Sequence, residues 1–211
     1  MTGMRPLACL QRESEGGALV EFAFLLPVML ALLIGGMDLA HQSYVRTVLQ
    51  GALNNTARTA AVENPQFAAD GDTIAEQVEA AIRDRMAPIA PGAIVEVTQE
   101  SFFDFTNIGN PEKLMQDDNE NGQYDEDDGD CFEDVNRNGR YDTDTGVQGR
   151  GNANDVVFYR AELSMDRLFP SHVFLPIASR TSMVLETAVR NQPYGERPTP
   201  PVVCGDEEED D

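Results

Sequence analysis

Residues 22–37 read FAFLLPVMLALLIGGM without a single charge, and a run of that kind must be enclosed by protein or by lipid. Widened to residues 17–40 it supplies 24 residues, about 36 Å of helix at ~1.5 Å per residue, which is enough to cross a bilayer. The chain has 211 residues, room for one domain beside such a span and too few for a second enzyme-sized one. A cleaved secretory signal is the competing explanation. Its peptidase requires small residues in an A-x-A-like pattern, and the best available end, Asp38-Leu39-Ala40, puts a carboxylate there. The sequence therefore predicts a transmembrane helix over residues 17–40, preceded by a cytoplasmic leader, residues 1–16, that carries Arg5 and Arg12.

Glu21 lies one residue before the run, at a depth where a carboxylate is costly. Such a residue can simply snorkel to the headgroups, but its neighbours say more. Gly16-Gly17-Ala18-Leu19-Val20-Glu21-Phe22 and the apolar run behind it resemble the processing site of type IV prepilins, where a peptidase cuts after a Gly and leaves Glu as the fifth residue of the mature chain. The resemblance implies cleavage between Gly16 and Gly17 and an assembly role for Glu21 and Phe22. The new α-amine and the Glu21 carboxylate would lie one helical turn apart, or meet across neighbouring subunits, each giving the other a partner in a low-dielectric setting. With Ala23, Leu26-Pro27 and Gly35-Gly36-Met37-Asp38, about forty residues are similar to the TadE-like pseudopilins of the Tad (Flp) pilus system. A shorter piece, Ala188-Val189-Arg190-Asn191-Gln192-Pro193-Tyr194, is similar to the Arg-Asn-Glu-Pro-Phe ending of that family, with Gln192 in place of the acid.

The resemblance implies a non-enzymatic minor pilin-like component of the bacterial inner membrane, its N-terminus cytoplasmic and its C-terminal domain periplasmic, built into an extracellular pilus or kept at its base. Prepilin peptidase, membrane lipid, other pilin-like subunits and inner-membrane assembly components are the partners it implies. Pro27 is read as a tolerated kink. Gly35 and Gly36 lack the full G-x-x-x-G spacing of a helix-dimer motif.

Past the span, Val45, Val48, Leu49, Ala52, Leu53, Thr56, Ala57 and Ala60 recur at helical spacing while Arg46, Gln50, Asn54 and Arg58 fall on other faces. One rod from residue 17 to about 62, stopped before Asn64-Pro65, follows, and its outer half needs a domain to cover it. Thr73-x-x-Glu76 announces a second helix with Ile74, Val78, Ala81, Ile82 and Met86 on one side, halted by Pro88 and Pro91. Three β-like runs, 93–105, 155–165 and 181–190, complete an α+β domain over residues 41–195, with an antiparallel sheet of about three strands packed on the helix in a pilin-like manner.

Between the first two runs lies an acidic block, residues 111–151, too long for a structureless connection. Asp117-x-Asn119-x-Asn121-Gly122-x-Tyr124-Asp125 and Asp134-x-Asn136-x-Asn138-Gly139-x-Tyr141-Asp142 are two copies seventeen residues apart. Oxygen donors at alternate positions with Gly at the sixth match the calcium-loop pattern D-x-[DN]-x-[DN]-G. The expected ligands are Asp117, Asn119, Asn121, Gln123, Asp125 and Asp128 for one Ca²⁺, and Asp134, Asn136, Asn138, Arg140, Asp142 and Asp144 for a second, with Gln123 and Arg140 at the seventh position, where the backbone carbonyl serves. The second loop has Thr145 where the closing carboxylate belongs, so Asp144 or another acid must stand in and the second site should be weaker. A solvated acidic linker would have the same composition, but it would need no Gly, Tyr and Asn repeated at fixed offsets.

Cys9 falls in the leader, leaving Cys131 and Cys204 to form one disulfide in an oxidising compartment or to remain as two thiols. The formal charge of −22, concentrated in the block and in an acidic tail, residues 196–211, excludes nucleic acid as a partner. An enzyme is disfavoured because His41 and His172, the two histidines, have no recognisable nucleophile or metal partner in the sequence around them. The alternative to a pilus component is a membrane-anchored or released calcium-dependent binding or adhesion module that uses the acidic block as its recognition surface.

Overall fold

The computed structural model describes residues 15–169 and 177–205. Residues 1–14 of the leader with Cys9, His172 between Pro170 and Pro176, and the acids of residues 206–211 lie outside the described residues. Its first element is a single helix, α1 (Glu15–Ala60), with Pro27 inside it. Around that proline the helix carries apolar residues on every side, and residues 17–36 are exposed without exception. The most apolar eighteen-residue window of this helix has a mean hydropathy of 2.4 and none of it is buried, so it is long and apolar enough to cross a membrane.

Contacts divide the chain into two units, Met1–Tyr44 with Arg167–Arg180, and Val45–Asp166 with Thr181–Asp211. In the first, the end of the apolar run is marked by Asp38, 5 % exposed despite its charge. Its Oδ2 accepts from Arg167 Nη1 at 2.6 Å and from Gln42 Nε2 at 2.8 Å. Arg167 also donates through Nε to the Ala178 carbonyl and through its backbone N–H to the Ser179 carbonyl, so Arg167 ties Ala178 and Ser179 to the helix.

The second unit packs helices on a sheet. Helix α2 (Ile74–Met86) begins at the sequence-predicted capping box: Thr73 accepts from the Glu76 N–H, and the Glu76 carboxylate accepts from the N–H of Thr73. The larger sheet has the order β4-β1-β5-β6, formed by β1 (Ile94–Phe102), β4 (Val147–Gln148), β5 (Val156–Asp166) and β6 (Arg180–Arg190). β1 and β5 run antiparallel, with Ile94 opposite Ser164 and Phe102 opposite Val156. Along β5 the odd residues Val157, Tyr159, Ala161, Leu163 and Met165 are buried while Arg160 and Glu162 face out, the period-two pattern of a half-covered sheet. That inner face meets Val45, Leu49, Leu53 and Ala57 of α1 and Val78, Ile82 and Met86 of α2 in one core. The outer half of α1 is thus covered as its apolar stripe requires.

A smaller sheet, β2-β3-β7, holds the acidic block and was not foreseen from sequence. It comprises β2 (Leu114–Gln116), β3 (Cys131–Glu133) and β7 (Val202–Cys204). Residues that composition assigns to an acidic tail are therefore partly a strand. The reason is covalent and local: Cys131 lies directly opposite Cys204 in the β3–β7 pair, and the two form a disulfide.

Candidate functional site

The residues singled out from sequence fall in two regions. The first is the start of α1. Gly17 has open space around its Cα, while Glu21 and Phe22 are both exposed on an otherwise apolar helix surface. Among the described residues nothing covers this surface.

The second is the acidic block, which forms two loops of the same conformation. Asp117 uses both carboxylate oxygens to accept from the N–H groups of Asn121 and Gly122, at 3.1 and 2.7 Å. Asp134 does the same with Asn138 and Gly139, at 3.1 and 2.8 Å. Asn119 and Asn136 each accept from the N–H two residues on, and so do Asn121 and Asn138, accepting from Gln123 and Arg140. These nested side-chain-to-backbone bonds are what Asp and Asn favour in turns. The backbone repeats as well: Glu120 and Arg137 have φ of 56° and 62°, and Gly122 and Gly139 have 75° and 74°. At the sixth position the glycine is required by its φ, because open space surrounds both residues.

The loops meet through their eighth residues. Tyr124 and Tyr141 stack with centroids 4.7 Å apart, and both present edges or faces to Phe132 at 5.0 and 5.6 Å. Phe132, in the middle of β3, is fully buried. The sequence showed a paired Tyr at this offset but gave no sign that the two would touch.

Two carboxylates that the motif did not include complete the arrangement. Asp130, fully buried, accepts from the N–H of Asp118 and of Asp125, the second and ninth positions of the first loop, each at 3.0 Å. Glu112, 2 % exposed, accepts from Val135 and Asp142, the same two positions of the second loop, at 2.9 and 3.0 Å. One of these acids follows its loop and the other precedes it by twenty-two residues, so no linear pattern links them. Burial pushes the Glu112 carboxyl up from its ordinary range; the two backbone N–H groups oppose this, and the charges of Asp134 and Asp142 add to it. Tyr124 and Tyr141 are likewise shifted upward, first by burial and then by neighbouring carboxylates.

Of the expected ligands, Asp128 accepts from the Asn119 amide, and Asp142 Oδ2 accepts from Asn136 at 2.7 Å and from Asn138. Asp144 turns to the N–H of Gly146, and Thr145 is buried with its hydroxyl donating to the Asn107 carbonyl. Glu112 is the carboxylate from outside the motif that reaches the second loop. Among the described residues no three His, Cys, Asp or Glu side chains converge as a set able to hold a metal ion; amides of Asn and backbone N–H groups lie between the carboxylates.

The ending similar to Arg-Asn-Glu-Pro-Phe also acquires a role. The Asn191 N–H donates to the Asp155 carbonyl and its side chain to the carbonyls of Arg150 and Asn152, while the Gln192 N–H caps the end of α1 at Ala61. Arg150 bonds the Val62 carbonyl and the Tyr194 hydroxyl. The segment thus fastens β6, α1 and the turn before β5 with backbone-directed bonds, which need no acid at position 192.

One helix, long and apolar enough to cross a membrane at its start, supplies buried residues to the core of an α+β unit at its end. More narrowly, residues 16–58 match the family model described as TadE-like protein, which covers nearly all of α1 and none of the acidic block. No curated protein and no solved structure matches the chain. The family associates the helix with Tad pili and, in general terms, with pilin-like and assembly partners and a non-enzymatic role.

Proposed function

We propose that the chain is a minor pilin-like component of Tad pilus assembly, matured by cleavage between Gly16 and Gly17, held in the inner membrane by α1 and presenting its second unit on the periplasmic side. The observation that carries this is α1 itself: the helix matched to the TadE-like family supplies both an exposed apolar length sufficient for a bilayer and the buried stripe Val45, Leu49 and Leu53. Glu21, exposed at the start of that length, would pair with the mature α-amine of Gly17 within one chain or between neighbours. Glu21→Ala should therefore insert into the membrane normally yet fail to support pili. If the variant builds pili as well as the parent does, the carboxylate only snorkels and the assembly role is wrong.

Within that role, the paired loops are proposed to bind two Ca²⁺ ions. The donor set is all oxygen, which suits a hard cation. Asp117, Asn119, Asn121, Asp125 and Asp128 would serve the first, with the carbonyl of Gln123. Asp134, Asn136, Asn138 and Asp142, with the carbonyl of Arg140, would serve the second, and Asp144 is left with its local bond to Gly146. When bound, each ion would supply two positive charges where carboxylates are most crowded. Asp130 and Glu112 hold the second and ninth positions of each loop in place beforehand. Calorimetric titration of the detergent-solubilised chain should find two sites, and Asp117→Ala and Asp134→Ala should each remove one. No heat, or equal response to Mg²⁺, would defeat the calcium reading.

A further inference from the structure

Arg167, the residue that follows β5, is tied to α1 where the apolar run ends. The Arg167 guanidinium and the Asp38 carboxylate are 19 % and 7 % exposed and 2.6 Å apart. Asp38 directly follows the sixteen uncharged residues 22–37, so in a membrane-spanning α1 it marks the edge of the hydrocarbon layer. At that depth neither charge can be released alone without large cost, because an isolated carboxylate or guanidinium is poorly solvated there. The pair therefore fixes the depth of the residues beside Arg167. Those residues are apolar and uncovered: Leu168 is 48 % exposed and Ile177 38 %. On the same side of Asp38 the helix itself presents Leu39 and Tyr44, 65 % and 57 % exposed. Tyr44 stands six residues on, about 9 Å along the axis, where an amphipathic ring prefers the headgroup level.

Resting on the membrane-anchored reading above, we propose that Leu168 and Ile177 form a second membrane contact, seated in the headgroup and acyl boundary of the same bilayer that α1 crosses, with the Asp38–Arg167 pair as the clasp that holds them there. The occupant is lipid, and the argument for it is continuity: Leu168 follows Arg167 and Ile177 precedes Ala178, both bonded into the tie to Asp38, at the end of an apolar helix surface that the anchored reading gives to lipid. An exposed leucine in water is ordinary, but one held by a buried ion pair at the end of a transmembrane run is placed against a bilayer. The consequence is orientational. A helix alone leaves its tilt and rotation free, whereas a second contact beside it restricts both.

The chain contains no tryptophan, so a single introduced Trp reports one position. Full-length chain carrying Leu168→Trp, and separately Ile177→Trp, is reconstituted into phosphatidylethanolamine and phosphatidylglycerol vesicles. Leu25→Trp, within the apolar run, serves as the reference for insertion. The expected result is blue-shifted emission at 168 and 177, quenched by lipids brominated near the carbonyl end and resistant to aqueous iodide, with Arg167→Ala shifting both reporters to the red and Arg167→Lys restoring them in part. Iodide-quenched, red emission at 168 and 177 while Leu25→Trp is quenched by bromolipid would overturn the proposal. So would a blue shift that depends on protein concentration and ignores bromolipid, which would mean that a second copy covers the site. If Leu25→Trp itself escapes bromolipid, it is the anchoring reading that has failed.

Discussion

Removing the ring of Phe132 should loosen both acidic loops together. Phe132 is fully buried, and it is the side chain that both Tyr124 and Tyr141 abut, at centroid distances of 5.0 and 5.6 Å. Truncation of a buried Phe to Ala costs about 3–5 kcal/mol, and edge-to-face aromatic pairs add ~0.5–1.5 kcal/mol each beyond area, although part of that is already in the first figure. Phe132→Ala should thus cost the small sheet about 4 kcal/mol, while Phe132→Leu, which keeps most of the volume and loses the ring contacts, should cost about 1–2 kcal/mol. At ~2–4 °C per kcal/mol the Ala variant should melt about 10 °C lower if the unit unfolds as one. Differential scanning calorimetry of the solubilised chain gives the melting shift, and calcium titration gives the affinities. The reasoning requires that both sites weaken in Phe132→Ala. A variant in which one site is lost and the other is untouched would show that the stacked tyrosines do not couple the loops, and a melting shift under 1 °C would show that Phe132 is not the shared core.

Four further outcomes follow from particular contacts. Glu112 carries a carboxyl raised above its ordinary value of 4.5 by burial, so the folded state holds the proton more tightly than the unfolded chain does. In chelator the domain should therefore gain stability as pH falls from neutral toward 4.5, and Glu112→Gln should abolish that part of the gain; parallel pH profiles for parent and variant would refute it. Reducing the Cys131–Cys204 bond, which closes a separation of 73 residues, should cost about 4 kcal/mol by the chain-entropy relation, measurable as a lower denaturant midpoint in Cys204→Ser. Leu53→Ala, at a fully buried site in the core, should destabilise the second unit by about 2–5 kcal/mol in chemical denaturation without altering calcium binding. Asn191→Ala, which frees the Arg150 and Asn152 carbonyls, should cost about 1–3 kcal/mol, while Gln192→Ala, whose bond to Ala61 is through the backbone, should cost far less in the same assay.

How much of this was legible in the sequence depended on whether the signal was local. The capping box at Thr73 and Glu76, the apolar stripe of α1 from Val45 to Ala60 and the three long strands were written in spacings of two to four residues, and the structure has them. The loop repeat was also visible because glycine, asparagine and aspartate occupy fixed offsets. What escaped was the long-range part. Glu112 is separated by twenty-two residues from the loop it supports, Asp38 by 129 from the arginine it pairs with, and β7 lies beyond an apparently acidic tail. Strands as short as Val202–Cys204 leave no periodicity to read. The Cys pair was the one clue to that strand, and it pointed to a bond without pointing to a sheet.

The most direct test of the central claim is the mass and N-terminal residue of the protein recovered from the membranes of the cell that makes it. A pilin-like TadE component should begin at Gly17, with residues 1–16 gone and Glu21 as its fifth residue, and changing Gly16 to a bulky residue should leave the leader attached. A chain that still begins at Met1, or one that begins at His41 after release from the membrane, would contradict the account and favour a calcium-dependent module in its place.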